Sequence, residues 1–431
     1  MSLDFIIIGG NIAGLLSAKI LVEDNKISLI EKDPIDNPSK EVPLLIAGYF
    51  SNMLERKGIE IDKMDPIFFD EVHVHGSDGR TVLETNFEFL VSNYGKMRRE
   101  TLRTIDGLNI RDKCVVAGKY IEDTELIKKI MIENKKRDVL EAKYIIDTSG
   151  FDMFLTKRVM SIERHTIRRH NMYTFFHALY KDAHHRIEKS AIHFLINNTT
   201  TPGGISVIFS LNDEIHIFGF YNRRLSSIMV EKRCNWIKNM LGIFARLSKI
   251  EKHDIVLGKP LLTASYKNAF LLGASNMSIY PLFFSGIPHN VEQTDALTRL
   301  IYNLTSDEKE PCELMLEYNI KSLSNRIFRG ILNDFFRLLL ISIRDEEIEE
   351  IADKVIDLIK MFTMFPRKVD IFALDIASTI LRNSRMAIKL QQILRLAVDL
   401  YRTFDMQYDS MDKMIKTARE FNLAYDKNIK D

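Results

Sequence analysis

Apolar residues recur along this chain in two periods, one suited to strands and one to helices. Near the start, Phe5 to Ile8 is an unbroken apolar run of the kind carried by a strand buried on both faces. Ile12 to Val22 then repeats apolar residues at helical spacing, and the run ISLI predicts a second strand ending at Glu31. Tyr144 to Ile146 and Phe270 to Leu272 predict two more strands, followed by turns at Gly150 and Gly273. A further helix is expected after Pro281 and Gly286. In HVH, alternation puts His73 and His75 on one face of a strand. Downstream of Leu304 the segments EEIEEIADKVIDLIKMF and AIKLQQILRLAVDLYRTF read as amphipathic helices, a helical cap on the rest.

Composition narrows the function classes. At 431 residues with 46% hydrophobic content the chain can hold two or three domains and bury a sizeable core. Sixty Lys and Arg against 59 Asp and Glu leave a net charge of +1, so no nucleic-acid partner is expected. Cys114, Cys234 and Cys312 lie far apart, which fits neither a disulfide framework nor a CxxC metal site and suggests a reducing compartment. The apolar start lacks a basic leader, and the later run FFRLLLISI is too short to cross a bilayer; a cytoplasmic location is expected.

The first elements carry chemistry. A strand, a glycine turn, a helix and a second strand ending in an acid form the βαβ unit that binds dinucleotides: glycines allow the bend, the pyrophosphate and the close packing, and the acid takes ribose hydroxyls. Candidate contacts at the turn are Gly9, Gly10, Asn11, Ala13 and Gly14, with Glu31 and Lys32 after the second strand. Asn11 stands where the middle glycine belongs. Its tolerance of left-handed backbone keeps the bend, while its side chain is expected to crowd the phosphate.

The order and spacing of IIIGGNIAG, KYIIDTSGFD and NAFLLGASNMSIYPLFFSGIPHN resemble a flavoprotein of the p-hydroxybenzoate hydroxylase type, and more narrowly the geranylgeranyl reductase family, which reduces prenyl double bonds using FAD. The resemblance covers nearly the whole chain. It implies an α/β fold with an α+β second domain: a Rossmann-like FAD-binding domain from 1–68, 94–155 and 256–304, a β-rich substrate domain from 69–93 and 156–255, and a helical domain over 305–431. Thr199 to Phe220, with Pro202, Gly203 and Gly204, resembles the family's hairpin across the substrate cavity. For the cofactor, the resemblance adds Arg99, preferred over Arg98 in GKMRRETLRTI, then Asp147 and Gly150, and finally Gly273, Ala274, Pro281, Gly286 and Ile287. It implies an isoprenoid or other apolar lipid substrate and peripheral membrane contact. The electron donor and the catalytic residues are not indicated.

Departures from the family pattern form a group. Ala274 replaces the aspartate that binds the ribityl chain, Leu44 in EVPLLIAG replaces the redox cysteine, and FFSGIP keeps only Gly286 of a glycine cluster, with Phe284 and Pro288 filling space or removing a donor. With Asn11 these changes fall on three parts of the cofactor, so the sequence leaves two outcomes: an FAD-dependent reductase delivering hydride to an isoprenoid double bond, or a paralogue with weakened or lost FAD that binds lipid or a partner. Six of the 11 histidines lie between His165 and His193, yet without clustered Cys, Asp or Glu they read as solvated or hydrogen-bonding rather than metal ligands. His289 reads as a helix N-terminal residue. Arg164 to Tyr173 reads as a solvated basic loop, with phosphate or headgroup binding as its alternative. Phe335, Phe336, Met361, Met364 and Phe372 read as packing residues of the tail, or as walls of a prenyl tunnel.

Overall fold

A computed structural model describes residues 3–35, 43–122, 127–134, 137–150, 172–184, 187–196, 205–211, 213–221, 224–256, 264–266, 268–276 and 286–305, with single residues 155, 316, 318, 319, 352, 413, 416 and 420. The chain begins with β1 (Leu3–Ile8), α1 (Ile12–Leu21), β2 (Ile27–Ile30), β3 (Pro43–Ala47) and α2 (Gly48–Glu55). It continues through β4 (Ile67–His75), β5 (Thr81–Asn93), α3 (Tyr94–Arg103), β6 (Asn109–Arg111), β7 (Val115–Glu122), β8 (Ile127–Glu133) and β9 (Arg137–Asp147). The second half holds β10 (Met172–His184), β11 (Ala191–Leu195), β12 (Ser206–Leu211), β13 (Glu214–Tyr221), α4 (Ser227–Met240) and β14 (Phe244–Val256), then β15 (Ser265–Tyr266), β16 (Ala269–Leu271) and α5 (Gly286–Thr305).

One sheet runs β15-β16-β9-β1-β2-β6, with β8 antiparallel to β9 and β7 to β8. Its central strands are parallel and buried on both faces, which is why Phe5 to Ile8 lacks alternation. Phe5 and Ile7 turn to a core shared with Leu15 and Ala18 of α1 and Leu297 and Leu300 of α5. Ile6 and Ile8 face the other way, onto Ile130 and Ile132 of the β7–β8 ribbon. Each such buried side chain contributes roughly 1.5–3 kcal/mol. From β1 the chain winds outward through α1 to β2, and β9 later returns on β1's other side. The carboxyl ends of β1 and β9 therefore flank a switch point, where open α/β sheets place ligands.

The second sheet runs β14-β10-β13-β12-β11-β4-β5-β3 and is antiparallel except where β11 meets β4. One face packs Phe176, Ala178, Ile208 and Ile217 against Val230, Cys234 and Ile237 of α4. Helix α4 is capped by Ser226, whose hydroxyl accepts from the Met229 amide at 3.3 Å. β5 leads without a break into α3, so a strand of the second sheet ends against the first sheet's glycine turn.

Several expectations shift in position. β3, assigned by the sequence to the nucleotide-binding part, pairs with β5 in the second sheet, Leu44 opposite Ser92, because its apolar run PLLIA completes that sheet's edge. The hairpin expected over Thr199 to Phe220 is β12–β13; its Pro202, Gly203 and Gly204 lie outside the described residues. Pro281, Phe284, nearly all of the basic run from Arg164, and the tail residues Phe335, Phe336, Met361, Met364 and Phe372 also lie outside them. Among the described residues no helix is long and apolar enough to cross a membrane.

Candidate functional site

The glycine turn is built by close approach. Gly9 has φ 104°, and a Cβ there would stand 2.7 Å from the Thr148 carbonyl oxygen. A Cβ on Gly14 would stand 2.0 Å from the Gly9 oxygen, so α1 can lie this close to β1 only with glycine at that position. The Thr148 amide donates to Ile8 at 2.8 Å, which ties the end of β9 to the turn.

Asn11 does something other than the sequence suggests. Its backbone is extended, φ −78° and ψ 178°, rather than left-handed, and it serves as the N-cap of α1. Its Oδ1 accepts from the Gly14 amide at 3.2 Å and its Nδ2 donates to the Thr148 carbonyl. The side chain is thus turned back toward β9. The cost falls on the amide it consumes, since the first helical N–H groups are the ones an anion uses.

Glu31 and α3 complete the turn. The buried Glu31 carboxylate accepts from the Gly10 amide at 2.6 Å and from Asp33 at 3.2 Å, while Lys32 beyond it is exposed. From α3 it is Arg98 that reaches the turn, and Arg99 is the more exposed of the two. Arg98 is 2% exposed, donates from Nε to the Gly10 carbonyl at 2.8 Å, and holds Nη2 3.8 Å from Glu31. Among the described residues that Nη2 has no hydrogen-bond partner. Arg98 rather than Arg99 contacts the turn because Tyr94 and Arg98 are four apart and share the helix face turned to α1. The Tyr94 hydroxyl accepts from the Ile12 amide; its burial pushes its pKa up, against the Arg98 charge, which favours ionisation.

The carboxyl end of β9 supplies a second polar knot. Asp147 is fully buried, accepts from the Ser149 amide at 2.9 Å, the Ser149 hydroxyl at 2.6 Å and the Leu155 amide at 2.8 Å, and its pKa is raised by burial despite these bonds. The Ser275 hydroxyl accepts from the Gly150 amide at 2.8 Å and donates to Asp147 at 3.3 Å. Gly273, φ 62°, donates to Gln293 at 2.7 Å and sits over Ala13, where its own Cβ would come within 3.6 Å. Gly273 and Ala274 open the turn after β16, and Gly286 and Ile287 begin α5, so three distant sequence pieces meet around α1's first turn.

The face of the second sheet opposite α4 is lined by rings. Phe175, Phe218 and Phe220 cluster with centroids 5.0–5.9 Å apart. Phe209 lies 5.1 Å from His216, and His177 stacks on Phe218 at 4.4 Å. Phe69 of β4 meets Phe209 at 5.9 Å, and Phe89 of β5 meets Phe194 at 5.9 Å. The ring-lined wall thus runs across the sheet to β5, which continues into α3 and Arg98.

The histidines bond to one another. His75 Nε2 and His193 Nδ1 are 2.9 Å apart, with His75 Nδ1 3.0 Å from the Gly79 carbonyl and His193 Nε2 2.8 Å from that of Glu188. His177 Nε2 and His216 Nδ1 are 3.1 Å apart. Burial depresses all four, His177 and His193 to about 4 and His216 to about 3. Among the described residues no group of three or more His, Cys, Asp and Glu is arranged to hold a metal ion. His289 lies in the first turn of α5.

No protein-family model and no curated protein sequence matches the chain. Solved structures do match it in fold. A geranylgeranyl bacteriochlorophyll reductase-like protein from Thermoplasma acidophilum superposes with a TM-score of 0.71 at 14% identity, over 92% of this chain and 99% of that one. The fold is that of the p-hydroxybenzoate hydroxylase-type flavoproteins. The probable FAD-dependent monooxygenase PqsL of Pseudomonas aeruginosa aligns at TM-score 0.62 and 14% identity over 82% of this chain and 100% of its own. The p-nitrophenol 4-monooxygenase PnpA of Pseudomonas putida aligns at 0.63 and 10% over 87% and 97%. At such identities the likeness concerns the fold, and the chemistry must be argued from the side chains.

For FAD that fit is two-sided. The glycine cradle and the unused Arg98 Nη2 suit a pyrophosphate. The amides of Gly10, Ile12 and Gly14, which would face it, are held by Glu31, Tyr94 and Asn11.

Proposed function

We propose that this chain is an FAD-dependent oxidoreductase that saturates double bonds of an isoprenoid or other apolar lipid chain. The observation that carries the reading is Arg98: a guanidinium whose Nη2 has no hydrogen-bond partner among the described residues and only the Glu31 carboxylate 3.8 Å away, buried at the N-terminus of α1 over a glycine cradle, on the helix that continues the ring-lined wall. In this reading Gly9, Gly14 and Arg98 hold the pyrophosphate, Glu31 turns from the Gly10 amide to the ribose, and the phenylalanine wall takes the lipid. Bound FAD would supply hydride chemistry. The chain's own residues orient an apolar substrate and keep water from it, since Phe209, Phe218 and Phe220 leave little hydrogen-bonding surface. A cytoplasmic protein working at a membrane surface belongs to the same reading.

A second reading has its own observation. Because Asn11, Glu31 and Tyr94 already satisfy the turn's amides, the chain could keep the fold and bind lipid or a partner without flavin. The two separate on one experiment: load the full chain with FAD, reduce it with dithionite, add geranylgeranyl diphosphate, and look for mass gain in steps of two hydrogens. Saturated product supports the reductase; FAD uptake without product refutes the substrate class; no FAD uptake favours the paralogue.

A further inference from the structure

Saturating a carbon–carbon double bond needs a hydride on one carbon and a group that can give a proton to its neighbour. The ring-lined wall contains such a group. His177 and His216 lie end to end, Nε2 to Nδ1 at 3.1 Å, with ring planes 2° from parallel and centroids 5.3 Å apart. At the far end of this pair the His216 ring is flanked by Phe209, with ring centroids 5.1 Å apart. At the near end, His177 Nδ1 is 3.9 Å from Glu251 Oε2, a gap that one water or a small side-chain shift closes. Glu251 is 21% exposed and paired with Lys249. A buried polar pair in the middle of an aromatic wall carries a desolvation cost that an all-phenylalanine wall would avoid.

We propose that His216 donates the proton in double-bond saturation and that His177 and Glu251 resupply it from solvent. This rests on the reductase reading and adds the proton donor to it. The reduced flavin is the reductant and provides the hydride. As the substrate carbon takes the proton from His216 Nε2, His216 Nδ1 takes one from His177 Nε2, and His177 Nδ1 takes one from water through Glu251. One proton enters from solvent and one leaves on carbon, so both rings end neutral. One property agrees with this. Burial holds His177 to about 4 and His216 to about 3, so both rings stay neutral near pH 7, as a relay by tautomer exchange requires. The charged groups facing the pair are Glu251, which favours a protonated His177, and Lys249, which opposes it. His75 and His193 offer no equivalent path, because their outer nitrogens end on backbone carbonyls.

The test uses the full FAD-loaded chain, reduced with dithionite, in a single turnover with geranylgeranyl diphosphate. His216→Phe is expected to keep its flavin absorbance and to bind the probe by calorimetry within about threefold of wild type. Its saturation rate should drop by at least ~100-fold, the scale of a lost general acid. His216→Gln keeps a polar side chain that cannot pass a proton, and the same loss is expected; it stands in if the phenylalanine variant misfolds. Independently of turnover, 15N NMR should show neutral His177 and His216 rings at pH 7 that both shift when the probe is added. Folded His216 variants with saturation within threefold of wild type, or imidazole signals indifferent to the probe, would overturn the relay. A wild-type chain that takes up no FAD or leaves the probe unsaturated overturns the reductase reading itself, and the relay with it.

Discussion

Acidification to pH 5 tests the buried histidines directly. His177, His193 and His216 have folded-state pKa values of about 4, 4 and 3 against the ordinary 6.5. Because folding depresses them, their neutral forms stabilise the fold fully above pH 6.5, and that stability is lost as the pH falls toward the folded values. Between those limits each group costs about 1.4 kcal/mol per pH unit, so at pH 5 each removes about 2 kcal/mol relative to neutrality. Coupling inside the two bonded pairs brings the three together to about 4–6 kcal/mol, a large share of typical domain stability. The single tryptophan, Trp236, lies on α4 against this sheet, so urea unfolding followed by its fluorescence reports the relevant part of the chain. His193→Phe should shrink the loss between pH 7.5 and pH 5 by about 2 kcal/mol. A stability independent of pH across that window, or a loss that His193→Phe leaves unchanged, would show that burial does not hold these histidines neutral.

Other substitutions test the turn. Gly14→Ala places a methyl group 2.0 Å from the Gly9 carbonyl oxygen and should abolish FAD uptake and lower Tm, whereas Gly10→Ala meets the Ile35 and Glu31 side chains rather than backbone and should be milder. Arg98→Met should weaken FAD binding by calorimetry at least ~10-fold, the effect of a lost charged hydrogen bond, while Arg99→Met stays near wild type. Tyr94→Phe frees the Ile12 amide and should tighten FAD binding about fivefold, the worth of roughly 1 kcal/mol; weaker binding would show that the hydroxyl itself holds the cofactor.

Much of the first sheet was legible, because strands buried on both faces print their length directly as apolar runs, and because glycines that a Cβ cannot replace mark the turn. Asn11 is ambiguous in sequence: the same residue type tolerates left-handed backbone and caps helices, and only the Thr148 carbonyl's position decides between them. Arg98 and Arg99 are adjacent in GKMRRE, so sequence alone pointed to the neighbourhood and not the residue; the four-residue spacing from Tyr94 was the available clue. β3 escaped its assignment because pairing partners 40 or more residues away leave no local trace. The His177–His216 pair was equally hidden, since alternation gives each residue a face but cannot bring β10 beside β13.

In the proposed function the turn from Gly9 to Gly14, with Arg98 above it, holds FAD. The visible absorption spectrum of the purified full chain, before and after incubation with FAD and gel filtration, tests it most directly. A retained flavin spectrum near one FAD per chain that disappears in Arg98→Met and survives in Arg99→Met is the predicted result. A colourless wild-type protein that returns added FAD quantitatively in the small-molecule fraction would contradict it.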